Sequence, residues 1–237
     1  LCAEGTEDYS WHMPNDEWDA ISLNYTSGTT GDPKGVVYHH RGAYLNAANN
    51  ALTWEMGMHP NYLWTLPMFH CNGWGYPWTA ALIHAKVVCC RYIIAKDIYY
   101  LIDQHKVTHF GGAPIVLNLI VNAAEKDKKE INHKIYVLTA GAPPTSAILE
   151  KMDNLGFEVM HVYGLTETYG HVLQCAWNEE WNDSSNSEKA DLNARQGVRY
   201  PNLEEAMVAD PETYIPVPKD AKTMGEILMR GNVVMKG

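Results

Sequence analysis

Short runs of aliphatic, aromatic and β-branched residues alternate along the chain with segments whose apolar residues recur at helical spacing. From residue 62 onward, the runs predict strands over 62–66, 87–92, 107–110, 135–139 and 157–162. The segments between them predict helices over 74–85, 97–106, 115–124 and 145–155, and a further helix over 41–54 comes before the series. Strands separated by single helices require crossover connections. The predicted fold class is therefore α/β, with a largely parallel sheet flanked by helices.

The pattern changes on both sides of this α/β subdomain, which we place at 21–177. Residues 1–20 are polar and contain a Pro-Asn-Asp turn, so we interpret them as a lead-in segment. Asn, Asp, Glu and Ser dominate 178–195, which indicates a polar linker or insertion, and the short β-like runs of 196–237 predict a small β subdomain. Because the chain starts at Leu1 and stops at Gly237 in an apparent strand region, we expect it to be an internal fragment.

One stretch between two predicted strands has the composition of a phosphate-binding loop. It reads TSGTTGDPKG from Thr26 to Gly35 and has no large apolar side chain. Glycines bring backbone N–H groups close to a ligand, hydroxyls add donors and Lys34 adds a positive charge. The stretch is not a Walker A loop, which needs Gly-Lys followed by Ser or Thr. The candidate phosphate-binding residues are Thr26, Ser27, Gly28, Thr29, Thr30, Gly31 and Lys34.

A second candidate loop, YGLTET at 163–168, directly follows the predicted strand over 157–162. The ring of Tyr163 is suited to stack on a purine. The hydroxyl of Thr166 is suited to a phosphate oxygen, and the carboxylate of Glu167 to Mg²⁺. Ligands of parallel sheets bind beyond the carboxyl ends of the strands, so we expect the two loops to meet there.

Composition excludes some classes of function. The formal net charge is −10 and there is no Lys/Arg cluster, which argues against a nucleic-acid-binding surface. The five cysteines show no CxxC spacing, and their number is odd, so a reduced, cytoplasmic protein is the simplest interpretation. No apolar run approaches the length of a transmembrane span, and no signal peptide is evident.

The two loops together identify the family that the chain resembles. They are similar to the signatures of AMP-forming acyl-CoA synthetases, the adenylating superfamily. The branch is that of short- and medium-chain acyl-CoA ligases, which includes methylmercaptopropionate-CoA ligase-like and plant acyl-activating enzymes. The resemblance runs from about Asp16 to Gly237. It also rests on PMFHCNGW at 67–74, AGAPP at 140–144, QGVRYP at 196–201, and GEI with RG near the end.

The resemblance implies roles for these residues. Thr26 to Lys34 would hold the β- and γ-phosphates of ATP. Gly141, Ala142 and Pro143 would line the adenine, on which Tyr163 would stack beside Gly164. Thr166 would bind the α-phosphate and Glu167 would coordinate Mg²⁺, so that Lys34, Thr166 and Glu167 form the catalytic set. His70, Trp74, Gly112 and Gly164 would lie at the acyl pocket.

Several of these residues also have simpler interpretations. Trp74 and Trp78 lie four apart on one predicted helix, which is more often a core face, although together with the GGAP loop at 111–114 they suggest a pocket for short or medium chains. His70-Cys71 is better explained by packing or substrate contact than by a nucleophile pair. His105 and His109 have the spacing of metal ligands, but the helix is predicted to end near Lys106.

The implied reaction activates a carboxylic acid with ATP, releases pyrophosphate and transfers the acyl group to CoA. A ribose-binding aspartate, a hinge and a cap domain with the adenylation lysine would follow 225–237 in the family, so we expect weak activity from this chain alone. Its partners would be small molecules, and a homodimer is left open. One alternative is an adenylating enzyme with another acceptor, either a carrier protein or oxygen as in luciferase-like members. A second is a non-catalytic nucleotide- or acyl-binding remnant.

Overall fold

A computed structural model of the chain describes residues 4–6, 8–26 and 32–237. Two strands, β1 (Ala20–Thr26) and β2 (Lys34–His39), pair antiparallel, and Thr26 lies opposite Lys34. Helix α1 (His40–Thr53) follows β2 directly. Its N-cap is His39, whose Nδ1 accepts a hydrogen bond from the backbone N–H of Gly42 at 2.9 Å. This cap satisfies one of the N–H groups that a helix start leaves free.

A seven-stranded sheet forms the centre of the molecule, with the order β4-β3-β5-β6-β7-β8-β9. The strands are β3 (Asn61–Trp64), β4 (Lys86–Cys89), β5 (His109–Gly112), β6 (Ile135–Thr139), β7 (Phe157–Leu165), β8 (Gly170–Gln174) and β9 (Val198–Arg199). The pairs from β4 to β7 are parallel, and β8 and β9 join antiparallel. The predicted fold class, an α/β fold with a largely parallel sheet, is thus confirmed.

Helices connect the parallel strands. They are α2 (Cys71–Trp74), α3 (Tyr76–Leu82), α4 (Ala95–His105), α5 (Pro114–Val121) and α6 (Ser146–Asn154), and α7 (Asn186–Asn193) comes later in the chain. Short 3₁₀ turns lie at Glu125–Asp127, Thr166–Thr168 and Glu179–Asp183. No helix in the described part of the chain combines the length and the apolar character that a membrane crossing needs.

Successive residues of a strand point to opposite faces of the sheet. In this sheet, both faces are covered by buried apolar residues. On one face, Leu63, Phe110 and Val137 pack with apolar residues of α4, α5 and α6. On the other face, Tyr62 and Leu138 belong to an aromatic-rich cluster that includes residues after α1 and at the start of α3. Strands buried on both sides explain the nearly continuous apolar runs of the sequence.

The helix predicted over 74–85 is wrong at its start. Gly75 has φ +76° and separates Trp74, in α2, from α3. Trp74 and Trp78 therefore do not share one helix face: Trp74 packs in the aromatic-rich cluster and Trp78 packs against Val36 and Tyr38. The physical reason is that a positive φ cannot continue a right-handed helix.

The polar segment 178–195 contains α7. Its capping box pairs Ser185 with Glu188, and Ala190 is buried against the core of α6. After it, β10 (Glu205–Ala209) and β11 (Glu226–Arg230) form an antiparallel pair, and Leu203 and Val233 pack on β8. The domain boundaries drawn from the sequence remain predictions.

Candidate functional site

The candidate residues come together because the carboxyl ends of parallel strands share one edge of the sheet. His70 follows β3, Gly112 ends β5, Gly141 follows β6 and Thr166 follows β7. The β1–β2 hairpin reaches the same place, since the Tyr38 hydroxyl on β2 donates a hydrogen bond to the backbone carbonyl of Thr166 at 2.6 Å. This contact joins β2 to the turn after β7, which lies 128 residues later in the chain.

On the phosphate side, Thr26 and the exposed Lys34 face each other at the end of the hairpin. The predicted phosphate-binding residues between them, Ser27, Gly28, Thr29, Thr30 and Gly31, lie outside the described residues. Their assignment remains a prediction from the sequence.

A stacked pair of aromatic rings, Tyr38 and Tyr169, packs beside the Thr166 turn. The rings of Tyr38 and Tyr169 lie 3.9 Å apart between centroids and 19° from parallel. The Tyr169 hydroxyl accepts from the His39 backbone N–H at 2.7 Å and donates to the His39 carbonyl at 3.1 Å. A Cβ on Gly42 would lie 2.4 Å from this hydroxyl, so only glycine leaves room for it. Burial raises the pKa of the Tyr169 phenol to about 12, which keeps the hydroxyl protonated as a donor.

Thr166 and Glu167 form the start of the 3₁₀ turn at the end of β7. The Cys71 thiol donates to the Thr166 Oγ1 at 3.7 Å, and the Glu167 carbonyl accepts from the Met235 backbone N–H at 2.7 Å. The half-buried Glu167 forms no ion pair with any described residue. A carboxylate without a cationic partner beside a hydroxyl suits a hard metal ion that is also bound by phosphate.

No cluster of three or more metal-ligating side chains occurs in the part of the chain that the structure describes. His105 ends α4 whereas His109 is on β5, as the predicted helix end near Lys106 implied.

The loop after β6 leaves room for a ligand. Gly141 has φ +87°, and nothing would lie within 4 Å of a Cβ at this position. Ala142 and Pro143 are exposed beside it. Tyr163 is half-buried on β7 and packs against a cluster that includes Leu173 of β8, so its predicted stacking on adenine remains a prediction.

Gly164 is required by close backbone approach. A Cβ on Gly164 would lie 1.7 Å from the carbonyl oxygen of Gly170, which β8 brings next to it. Gly112, at the end of β5, is buried, and its Cβ would lie 2.9 Å from the Cβ of Val116. Both predicted pocket glycines therefore also have a packing role.

Trp74, which is predicted to lie at the acyl pocket, belongs to an unusual turn. Five successive residues, Cys71, Asn72, Gly73, Trp74 and Gly75, have φ between +44° and +76°. A left-handed turn costs roughly 1–2 kcal/mol for each non-glycine residue. Sequence reasoning placed Trp74 on an ordinary helix and missed this turn. Trp74 itself is buried, whereas the predicted neighbour His70 is exposed.

Contacts from several elements hold the turn. The Trp74 carbonyl accepts from the Asn50 Nδ2 at 3.3 Å, and a Cβ on Gly170 would lie 3.3 Å from the Trp74 Cα. Burial raises the pKa of the Cys71 thiol, so the thiol stays protonated as a donor rather than acting as a nucleophile. The geometry therefore agrees with packing or substrate contact, rather than a nucleophile pair, as the explanation of His70-Cys71.

A buried histidine behind Trp74 was also missed. His171 Nδ1 lies 2.8 Å from the Tyr200 hydroxyl, and its Nε2 lies 3.3 Å from the Tyr76 hydroxyl. Burial lowers the pKa of His171 to about 3, so the ring is neutral near pH 7. Its ring also meets that of Trp74 edge to face, with centroids 5.9 Å apart. No local pattern signals this group, because its members come from α3, β8 and the residue after β9.

The structure is an α/β domain in which Thr166 and Glu167 follow the carboxyl end of a parallel strand. Comparison with solved structures gives the same fold. The luciferase-like enzyme from the nonluminescent mealworm Zophobas morio matches with a TM-score of 0.82 at 20% identity, over 98% of this chain and 53% of that one. At this identity the likeness concerns the fold.

Residues 3–237 match the family of AMP-binding enzymes, and the chain belongs to that family. It is 52% identical to the peroxisomal acetate/butyrate–CoA ligase AAE7 of Arabidopsis thaliana, over 99% of this chain and 42% of the relative. It is 51% identical to the acetate–CoA ligase CCL3 of Humulus lupulus, over 98% of this chain and 41% of the relative. The chain thus spans about two fifths of the length of these relatives.

Proposed function

We propose that the protein containing this chain is an AMP-forming carboxylic acid–CoA ligase for short- or medium-chain acids. The observation that carries the proposal is the contact between Tyr38 and Thr166, which joins β2, the strand that begins at Lys34, to the turn that contains Thr166 and Glu167. The acyl-side turn is tied to the same Thr166 through Cys71. Two relatives that are about half identical are named for acetate or butyrate, which supports a small acid.

In this proposal, the carboxylate of the acid attacks the α-phosphorus of ATP. An acyl-adenylate forms and pyrophosphate leaves. The CoA thiol then attacks the acyl carbon, and AMP leaves. The first step needs no general base because a carboxylate is already ionised at neutral pH.

The residues of this chain contribute position and charge. Lys34 and Thr26 bind the outgoing phosphates, and the Thr166 hydroxyl binds the α-phosphate. Glu167 would hold Mg²⁺, which would neutralise charge on the phosphate oxygens. The open space at Gly141 receives the adenine, and Trp74 with Gly164 limits the acyl pocket.

The test of the shared site is a calorimetric titration with ATP, with and without Mg²⁺. We compare the wild type with Lys34→Ala and Glu167→Gln, and with Lys222→Ala as a matched loss of an exposed lysine far from the site. Weaker binding in Lys34→Ala, and loss of the Mg²⁺ dependence in Glu167→Gln, support the proposal. Equal binding by all four proteins contradicts it.

Turnover tests the reaction itself. Pyrophosphate release is measured with acetate, butyrate and octanoate, first without CoA and then with it. Acid-dependent release that CoA accelerates supports the ligase. Release that CoA does not change favours another acceptor, such as a carrier protein. Nucleotide binding without release for any acid favours a non-catalytic remnant.

Location and assembly belong to the same proposal. The reduced cysteine pattern is the ground for a cytoplasmic protein, and fractionation of the tagged protein tests this against the peroxisome named for one relative. A homodimer is tested by light scattering of the purified protein.

A further inference from the structure

The left-handed turn is attached to the phosphate-binding hairpin through one side chain. The amide oxygen of Asn72 accepts hydrogen bonds from the Ser22 hydroxyl at 2.7 Å and from the Asn24 Nδ2 at 2.9 Å. Both donors lie on β1, about fifty residues earlier in the chain. Asn24 is buried, with 7% of its surface exposed, whereas Ser22 and Asn72 are half-buried, so the contact as a whole is partly buried.

The contact lies close to the phosphate side of the site. Two residues after Asn24, β1 ends at Thr26, which faces Lys34 on β2. Asn72 is therefore bonded to the strand that ends at Thr26, opposite Lys34.

The neighbouring residues of the turn reach the other parts of the site. The thiol of Cys71 contacts the hydroxyl of Thr166, and the carbonyl of Trp74 is held by Asn50 of α1. Three successive groups of contacts thus join the turn to β1, to the end of β7 and to α1. This one turn therefore contacts the strand that leads to Thr26, the predicted α-phosphate residue Thr166, and helix α1.

The backbone of the turn explains why asparagine stands at this position. Asn72 has φ +44° and ψ +54°, a conformation that asparagine tolerates better than most residues. A strained backbone persists when the surrounding contacts over-determine it, and such strain clusters at functional sites. Asparagine combines this tolerance with an acceptor that two donors of β1 can share.

We propose that Asn72 is a positioning residue, which sets the distance between the phosphate-binding hairpin and the acyl-side turn so that acid and α-phosphate meet. The inference rests on the proposed ligase function. Asn72 supplies no proton and no charge. It acts through β1 and through the turn that carries Cys71 and Trp74.

Three substitutions separate this role from a structural one. Asn72→Ala removes the acceptor and increases the backbone strain, because alanine tolerates this conformation less well than asparagine. Asn72→Gly removes the acceptor and relieves the strain. Asn72→Asp keeps an acceptor oxygen for both donors of β1. Asn122→Ala removes an exposed asparagine whose contacts stay within α5 and its C-terminus, and it serves as the matched control.

The first readout is acid-dependent pyrophosphate release, with kcat and KM measured separately for ATP and for the acid. We expect kcat to fall about tenfold to a hundredfold in Asn72→Ala and Asn72→Gly, because misplacement by about 1 Å costs this much. Asn72→Asp regains most of the rate. A structural role predicts instead that Asn72→Gly is as active as the wild type, and that result would overturn the inference.

The second readout needs no activity. Urea midpoints are measured for Asn72→Ala, for Asn24→Ala and for the double variant of the same protein. If the two side chains act on each other, the double variant loses clearly less than the sum of the single losses. Additive losses overturn the inference. If the wild type activates no acid, the ligase proposal fails by itself, and the midpoints still decide whether Asn72 holds β1.

Discussion

From the left-handed turn we predict how much a single added methyl group at Gly73 lowers the free energy of unfolding. Gly73 has φ +63°, and a Cβ built on it would lie 2.5 Å from the Cζ2 of Trp64. Gly73→Ala therefore meets two independent obstacles, one in the backbone and one in packing. Trp64 has little room to move, because it is buried in the aromatic-rich cluster with Tyr62 and Trp74.

The magnitude follows from adding the two terms. The left-handed backbone costs an L residue roughly 1–2 kcal/mol. Forcing one more carbon into a packed core costs about 1–3 kcal/mol. We expect Gly73→Ala to lower the free energy of unfolding by about 2–5 kcal/mol in total.

Two other glycines supply matched controls. Gly156 has φ +84° with nothing within 4 Å of its Cβ, so Gly156→Ala should show the backbone cost alone, roughly 1–2 kcal/mol. Gly57 has no positive φ and no neighbour within 4 Å. Gly57→Ala should be neutral or stabilise by about 0.4–1 kcal/mol, because alanine restricts the unfolded chain.

Urea unfolding followed by tryptophan fluorescence measures all three variants, since the chain has eight tryptophans. The expected order of loss is Gly73→Ala, then Gly156→Ala, then Gly57→Ala. If Gly73→Ala costs no more than Gly156→Ala, the packing of Trp64 on the turn is refuted. If Gly73→Ala costs nothing, the left-handed turn itself is refuted.

Three further predictions follow from buried groups. The pKa of His171 is about 3 in the folded state against about 6.5 when unfolded, so acidification from pH 7 to 5 should remove about 2 kcal/mol of stability through this residue. Urea midpoints across this range measure the loss, which His171→Gln should reduce. Tyr169→Phe leaves the N–H and C=O of His39 without their partner and should cost about 1–3 kcal/mol in the same assay. With a thiol reagent, exposed Cys89 should react in the native state and buried Cys71 only after unfolding.

Each of these has a control. The sign for His171 follows from linkage, because below pH 6.5 the unfolded chain binds a proton that the folded ring excludes, so stability is lost as the pH falls. An unchanged pH dependence in His171→Gln contradicts the assignment, and His84→Gln, at an exposed site, controls for the number of histidines. Cys89→Ser should remove one thiol equivalent from the fast phase. A fast phase that survives in Cys89→Ser, but not in Cys71→Ser, contradicts the burial of Cys71.

Local patterns were sufficient wherever one element could be recognised from its own residues. The strand predicted over 135–139 is the strand that forms, and the helix predicted over 145–155 differs from α6 by one residue at each end. Apolar periodicity and glycine at the end of a helix are properties of short segments, so they are legible without the fold. The roles of the phosphate loop and of the YGLTET loop were assigned from contiguous residues in the same way, and they remain predictions.

Other elements depend on partners far away in the chain. β8 is a strand because the turn at Thr166–Thr168 returns it antiparallel to β7, and α7 is buried only where Ala190 meets α6. The polar residues of 178–195 suggested a linker, although Ser185 and Glu188 form a capping box that marks a helix start. In this segment the polar composition was a poor guide to structure, and the capping box was the better indicator of a helix.

The amino-acid sequence by itself determined the α/β class, the order of most strands and helices, and the two loops by which the family is recognised. Each of these features depends on residues that are contiguous in the sequence and interact mainly with their neighbours along the chain. Only the tertiary structure decided that residues 71–75 turn left-handed, since Gly73, Gly75 and Asn72 permit a positive φ but Cys71 and Trp74 adopt it only where other contacts hold them. The contacts that hold this turn come from Asn24, Asn50, Thr166 and Gly170, on four other parts of the chain. Such contacts exist only once the sheet has formed, and this is why the turn could not be read from the sequence.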